Sequence, residues 1–484
     1  MQQTISFVLD GKIQIIDFNE QYEPTTTVLN FLRNSPLHKG VKEGCAEGDC
    51  GACTVVIGEL SLDKKMHYKA IDSCLVFLPM IHGKQLITVE NLSSKTGSSE
   101  ILHPVQQTMI DCNGSQCGYC TPGIIMSLFS LYKTENNPSK ETIEDVLTGN
   151  LCRCTGYKPI IEAAAKACVN KGEDQFTHNE KHIVDLLLQI KNETHSLEIV
   201  TKQQKYFQPK TKAEALTLRN KMQNSVLLSG ATDVALRVTK RHELLEEIID
   251  LSNIDELKKC IKTDYILKFG AGMSLEDVKT ISENELPALH EALVVFGSKQ
   301  IRTLATLGGN LGSGSPIGDT LPVLMAYNAE IKLQSVDGER IISMNKFILG
   351  YRQTERKPNE IITKISIPKP AENTKVKFYK VSKRKDLDIS TVSAGFSVTV
   401  EKNKVSAITL VYGGMAAVTK NAVKAEAFLM GAEWTRENIE QAMDMIYTEF
   451  TPLTDARSGA EFRKLAAKNL LMKFWNDTQI KILK

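Results

Sequence analysis

The chain has 484 residues, enough for about three domains at roughly 150 residues each. Its 59 Lys and Arg nearly balance 57 Asp and Glu, and with 42% hydrophobic and 24% charged residues it has the make-up of an ordinary globular protein rather than a polybasic nucleic-acid binder. The longest apolar run, Cys74 to Ile81, is far short of the ~20 residues that cross a bilayer, so neither nucleic acid nor membrane is an expected partner.

The N-terminus, MQQTISFVLDGK, carries an acid before any sustained apolar stretch and no small-residue cleavage pattern, so no export signal is expected. Residues 1–92 read as β-rich. Thr4–Leu9 and Ile13–Phe18 flank Asp10-Gly11, a strong hairpin signal. A short helix at Val28–Arg33, a Gly/Cys loop and a strand at Thr54–Ile57 follow, which suggests a small α+β domain of β-grasp type. From 93 to 170 the period becomes helical. Pro104 opens one helix, Thr121-Pro122 offers an N-cap and first position for a second, Ser139 can cap a third that stops near Gly149-Asn150, and Pro159 precedes a fourth over Ile160–Val169. Residues 171–200 are polar, with one short amphipathic stretch at Ile183–Ile190, and read as a linker. Strands, helices and Gly-rich turns alternate over 201–372. The remainder, 373–484, holds three strand-like runs (Val376–Val381, Thr391–Val400, Val405–Tyr412) and helical patterns in 420–430, 435–449 and 458–475.

Ten of the eleven cysteines lie between Cys45 and Cys168, a clustering that points to metal ligation in a reducing compartment, hence the cytoplasm. Cys45, Cys50 and Cys53 form C-x4-C-x2-C, with Cys74 further on, the spacing of a plant-type [2Fe–2S] site. Gly44, Gly48 and Gly51 let that loop turn tightly and bring N–H groups to sulfur. A structural zinc site would favour two short Cys pairs and would not need three loop glycines. A second set combines C-x2-C (Cys117, Cys120) with C-x-C (Cys152, Cys154), each just before a predicted helix start, where unpaired N–H groups favour an anionic centre. A thioredoxin-like role for Cys117-Gly118-Tyr119-Cys120 lacks the βαβ context and leaves the other pair unexplained. Cys112, Cys168 and Cys260 fit neither set and are expected to be buried free thiols.

The motifs Cys45-Ala-Glu-Gly-Asp-Cys50-Gly-Ala-Cys53, Gln116-Cys-Gly-Tyr-Cys120-Thr-Pro-Gly123 and Asn150-Leu-Cys152-Arg-Cys154-Thr-Gly-Tyr157 closely resemble those of the molybdenum hydroxylase family. Two iron–sulfur domains followed by a flavin domain resemble, within it, the small subunits of the xanthine dehydrogenase branch. The resemblance covers about residues 4–475. It implies a multidomain α+β chain: a β-grasp [2Fe–2S] ferredoxin domain, a helical [2Fe–2S] domain, and an α+β FAD-binding domain of vanillyl-alcohol-oxidase or CO-dehydrogenase-flavoprotein type with an α+β C-terminal domain. It also implies one cluster on Cys45, Cys50, Cys53 and Cys74, a second on Cys117, Cys120, Cys152 and Cys154, and Gln116 near the edge of a partner's molybdopterin. Ala46 departs from the Gly or Asp of many relatives, at a position that is not a ligand.

Two Gly-rich segments, Leu227–Val234 and Thr306–Asp319, each follow an apolar run, and Gly with Ser, Thr and Asn lets backbone N–H groups approach a pyrophosphate. Neither is a Rossmann or P-loop fingerprint, and on physics alone they fit tight turns as well as a ligand loop. The resemblance implies an FAD site. Leu227, Leu228, Ser229, Gly230, Ala231, Thr232, Asp233 and Val234 would wrap the adenine-side diphosphate. Phe296, Thr306, Leu307, Gly308, Gly309, Asn310 and Asp319 would hold ribose, phosphate and ring edge, with Ile362 and Lys380 completing the site. No His or Cys lies in these loops, so the FAD is expected to be non-covalent. The charged loop Lys383–Asp388 would lie where NAD approaches.

The implied activity is electron transfer from a partner's molybdopterin centre through two [2Fe–2S] clusters to FAD and then NAD⁺, as in oxidation of hypoxanthine and xanthine to urate. No catalytic residue for the hydroxylation itself is expected in this chain. A separate molybdenum-binding large subunit is expected, in a dimer of heterodimers. An aldehyde or other N-heterocycle hydroxylase, or a stand-alone iron–sulfur flavoprotein carrier, are the alternatives.

Overall fold

The hairpin expected at Asp10-Gly11 forms because both turn residues adopt positive φ (53° and 69°), which aligns Thr4–Leu9 antiparallel to Lys12–Asp17. The computed structural model describes residues 3–479 apart from 20, 62–63, 97–98, 170 and 194–195. The chain divides into two compact units. The first comprises Met1–Lys210, Asn224–Asn253 and Gly297–Ala305; the second comprises Thr211–Gln223, Ile254–Phe296 and Thr306–Lys484.

The first unit begins with a five-stranded mixed sheet in the order Lys12–Asp17, Thr4–Leu9, Gln85–Ile87, Thr54–Leu60, Met66–Asp72. Helix Val28–Asn34, capped by the Thr27 hydroxyl on the Asn30 N–H, buries Val28, Leu29 and Leu32 against it. This is the β-grasp arrangement. Four helices follow at Pro104–Asp111, Thr121–Thr134, Lys140–Leu147 and Lys158–Ala167. Helix Thr121–Thr134 is buried almost all round (Gly123 to Tyr132), and its core continues into Val56 and Ile87 of the sheet. Thr121 is not its cap: Cys120 occupies that position without a side-chain bond, and the Thr121 hydroxyl meets Ser115 Oγ at 2.7 Å. Ser139 does cap its helix, on the Thr142 N–H.

Within 171–200, expected to be a linker, the described residues 171–193 and 196–200 include regular secondary structure. Helices Gln175–His178 and Glu180–Glu193 precede strand Leu197–Val200. Ile183, Leu187 and Ile190 close over Val8, and the buried Asp174 binds Lys133 at 2.9 Å and His103 at 3.2 Å. Its polar composition reflects an amphipathic helix with one buried stripe and a buried ion-pair anchor, both of which read as solvated chain when only composition is weighed. The unit also holds a small sheet in which Val226–Leu228, Glu247–Asp250 and Lys205–Gln208 run parallel, with Leu197–Val200 antiparallel at its edge.

The second unit contains a five-stranded antiparallel sheet in the order Cys260–Lys262, Ile266–Gly270, Ile361–Pro368, Glu330–Ser335, Gly338–Ser343. The three C-terminal strands appear at Thr374–Val381, Val392–Glu401 and Lys404–Gly413, with a short fourth at Lys420–Asn421. Helices Val423–Leu429, Arg436–Glu449 and Ala460–Gln479 share a core with them that centres on Phe396, Tyr412, Phe450 and Phe474. Among the described residues no helix is long and apolar enough to cross a membrane.

Candidate redox-cofactor sites

The first cysteine loop is shaped by three left-handed residues within six positions: Ala46 (φ 54°), Gly48 (φ 82°) and Gly51 (φ 65°). This curvature turns backbone N–H groups inward. The Cys45 sulfur accepts from Glu47 (3.4 Å), Asp49 (3.3 Å) and Cys50 (3.3 Å), while the Cys45 N–H donates to the Cys50 sulfur at 3.3 Å. Such an N–H cage stabilises negative charge on sulfur. The thiol of Cys50 and these N–H groups, acting against burial, lower Cys45 to about 5. Cys53 and Cys74 are almost fully buried and lie within hydrogen-bonding reach of each other, and that contact, with burial, raises Cys53. The four sulfurs therefore stand as Cys45 with Cys50 and Cys53 with Cys74.

The second set repeats the two-and-two pattern by crossing its motifs: Cys117 reaches Cys154, and Cys120 reaches Cys152. Burial, followed by the Cys152 thiol, pushes Cys120 up to about 12. Tyr157 fixes the C-x-C turn. Its hydroxyl accepts the Cys152 N–H at 2.7 Å and donates to the Asn150 carbonyl at 3.0 Å, while the Thr155 hydroxyl sits 3.2 Å from the Cys152 sulfur. Cys117 and Cys154 are exposed, as are Gln116, Tyr119 and Leu151 beside them.

Two thiolates for each of two irons is the donor set that a [2Fe–2S] cluster needs, and both sets of cysteines fit it. Of the remaining thiols only Cys168 is buried. Cys112 and Cys260 are half-exposed, contrary to the expectation for free cysteines.

Leu227 and Leu228 end a strand of the first unit, and the chain then turns at Ala231, whose φ is 62°. Gly230 is obligatory here: a Cβ would lie 1.8 Å from the Leu304 carbonyl oxygen. The N–H groups of Ser229, Gly230, Ala231 and Thr232 have no backbone acceptor among the described residues, so this turn can offer consecutive donors to a phosphate. Asp233 and Val234 lead into helix Ala235–Thr239, which the Ala231 carbonyl starts by accepting from Ala235 at 2.7 Å.

In the second unit the Thr306–Asn310 turn is built differently from the sequence expectation. Its N–H groups are already used: Leu307 donates to the Met273 carbonyl, Gly308 to Ala271, Gly309 to the Thr306 hydroxyl and Asn310 to the Thr306 carbonyl. Gly308 is there for close approach, since a Cβ would stand 2.6 Å from the Ala271 side chain. This segment contributes shape and side chains rather than free backbone donors. Asn310 Oδ1 accepts from the Thr320 hydroxyl at 2.5 Å. Asp319, next in line, is buried, takes the Ser390 hydroxyl at 2.6 Å and forms a buried ion pair with Lys380 at 3.0 Å. Lys380 also donates to the Val295 carbonyl at 2.9 Å, beside Phe296. Ile362 lies under the turn, 3.5 Å from where a Cβ of Gly312 would be. Asp319 and Lys380 are thus joined in one buried polar cluster, with Asn310 bonded to the adjoining Thr320. The Lys383–Asp388 loop is closed on itself by Arg384–Asp388 bonds.

Sequence reasoning left Asn150, Tyr157 and Gln300 without roles. Asn150 and Tyr157 flank Cys152 and Cys154 in sequence, and that nearness is the available signal; Gln300, far along the chain, offers none.

Residues 88–165 match a "[2Fe-2S] binding domain", 201–370 an "FAD binding domain in molybdopterin dehydrogenase", and 377–478 a "CO dehydrogenase flavoprotein C-terminal domain". Xanthine dehydrogenase of Emericella nidulans is 33% identical over 98% of this chain and 38% of its own length. Xanthine dehydrogenase/oxidase of Gallus gallus is 31% identical over 97% and 39%. The chain thus spans about two fifths of the length of these relatives. Among solved structures, carbon monoxide dehydrogenase from Hydrogenophaga pseudoflava aligns at 25% identity and TM-score 0.54, covering 57% of this chain and 96% of that one. Quinoline 2-oxidoreductase from Pseudomonas putida 86 shares the fold at 21% identity and TM-score 0.52, over 56% and 95%. With those three domains in order and this homology along its length, the chain belongs to the molybdenum hydroxylase family as its iron–sulfur and flavin-binding, electron-transferring portion.

Proposed function

We propose that this chain is the electron-transfer subunit of a cytoplasmic, NAD-dependent xanthine dehydrogenase. A molybdopterin-bearing large subunit would oxidise hypoxanthine and xanthine to urate, in a dimer of heterodimers. The observation that carries the reading is the two-and-two arrangement of eight thiols in two sets, joined in one chain to a flavin domain. The named relatives are xanthine dehydrogenases, and the greater part of their length lies outside what this chain spans, which is room for the molybdenum-binding portion.

When bound, the clusters supply one-electron transfer and the flavin supplies exchange with a two-electron hydride acceptor. The chain's own residues do the rest. Cys45, Cys50, Cys53 and Cys74 would hold a buried cluster, with the N–H cage over Cys45 stabilising its charge. Cys117, Cys120, Cys152 and Cys154 would hold the second, on a face where exposed Gln116, Tyr119 and Leu151 give the large subunit a contact surface. The N–H groups of 229–232 would receive the FAD diphosphate.

The test is to isolate the chain with whatever large subunit co-purifies and to follow bleaching of the visible spectrum under anaerobic xanthine, then NAD⁺ reduction. Bleaching by xanthine with NADH formation supports the reading. Bleaching only by an aldehyde or another N-heterocycle reassigns the substrate, and no bleaching without a partner, with full reduction by dithionite, indicates a free-standing carrier.

A further inference from the structure

Helix Lys299–Leu304 is six residues long, yet within the first unit it meets the first cysteine loop at Gly48, Asn150 just before the C-x-C turn, and Gly230 of the flavin turn. Gln300 points into the iron–sulfur interior. Fully buried, its amide nitrogen donates to Ser127 Oγ (2.9 Å), Asn150 Oδ1 (3.0 Å) and the Val146 carbonyl (3.3 Å). Asn150 in turn donates to the Gly51 carbonyl and to Thr54 Oγ1, both at 3.1 Å, and accepts from Ser127 Oγ at 2.6 Å. Its amide orientation is therefore fixed from both ends. Gly51 lies between Cys50 and Cys53, and Asn150 is two residues before Cys152. Gln300 thus supports a side chain that bridges the two cysteine loops.

The neighbouring residues complete the pattern. Ile301 abuts the turn of the first loop, its Cδ1 only 2.8 Å from where a Cβ of Gly48 would be. Arg302, also fully buried, pairs with Asp145 at 2.6 Å. Leu304 presents its carbonyl to Gly230 of the flavin loop, and the closeness of that contact admits only glycine. Four of six consecutive residues serve four different partners, and the close-packed interior leaves none of them room to shift alone.

Building on the electron-transfer reading above, we infer that this helix is the spacer that sets the separation of the two clusters and the flavin loop, with Gln300 as its positioning residue. It acts through Asn150. Small displacements between reacting groups cost rates steeply, about tenfold or more for shifts near 1 Å, so the helix would control how fast electrons cross while leaving cofactor content alone.

The experiment uses the full chain with the variant Gln300→Met, which keeps the volume and removes the donors. Wild type and variant are assayed for iron and FAD, for the magnetic interaction between the two dithionite-reduced clusters by low-temperature EPR, and for the rate of flavin reduction after a dithionite pulse. Expected are unchanged iron and FAD, an altered cluster–cluster interaction, and flavin reduction slowed about tenfold. Ser127→Ala, a smaller cut in the same network, should move the same signals in the same direction and carries the test if Gln300→Met does not fold. Identical EPR interaction and flavin rate in a loaded variant would overturn the inference alone. A wild-type chain that binds neither iron nor FAD would instead overturn the reading on which it rests.

Discussion

Gly51 gives the sharpest quantitative test of the first cysteine loop. A methyl group there would stand 2.1 Å from the Gly149 carbonyl oxygen and 2.5 Å from Asn150 Nδ2, at a residue whose φ is +65°. The left-handed conformation costs an alanine about 1 kcal/mol. Forcing backbone and a buried amide apart adds the overpacking penalty, so Gly51→Ala should lose about 2–4 kcal/mol in all. Gly118 is the internal control, because its φ is +82° but a Cβ there meets nothing within 4 Å. Gly118→Ala should lose only the conformational part, about 1 kcal/mol. Urea unfolding midpoints at constant slope read both numbers. Equal losses in the two variants would refute the claim that close packing, rather than backbone angle, makes Gly51 indispensable.

Three further outcomes are expected. Lys380→Met leaves the Asp319 carboxylate buried with the Ser390 hydroxyl as its remaining donor, and should cost about 3–5 kcal/mol by urea unfolding, with part recovered in Lys380→Met/Asp319→Asn. Burial by itself would raise Asp174, but hydrogen bonds from His103, Lys133 and the Thr177 N–H outweigh it and hold the carboxyl well below the usual range. A depressed native pKa contributes stability that is complete above the unfolded value near ~4 and is lost as pH falls toward the native one; Asp174→Asn should therefore lower the unfolding midpoint at neutral pH, and its deficit should shrink in acid, whereas a pH-independent deficit would contradict the ion-pair account. Ala46 is an L-residue at φ 54°, so Ala46→Gly should raise stability by up to about 1 kcal/mol, read as a higher urea midpoint without loss of iron.

Much of this was legible in the sequence because its signals are local. The Asp10-Gly11 turn, the Ser139 cap and the alternating C-terminal strands are each decided by a few adjacent residues, and they fold as their neighbours dictate. The cysteine spacings pointed to both sets for the same reason, and the fold brings the thiols of each set together in pairs. What stayed hidden depends on distant contacts. Residues 171–200 look like solvated chain until Val8 and Lys133 supply partners for their buried stripe and carboxylate. The Thr306–Asn310 turn has the composition of a phosphate loop, but Met273 and Ala271, over thirty residues away, take its N–H groups. Gln300 is unremarkable in sequence, and only folding sets it against Ser127 and Asn150.

The central claim is that one chain holds two [2Fe–2S] clusters and a flavin. Its most direct test is an anaerobic dithionite titration followed by EPR, with iron and flavin quantified on the same sample. The account predicts two distinct rhombic signals, with about four irons and one releasable FAD per chain. A colourless, zinc-containing chain, or a single cluster signal with no flavin, would contradict it.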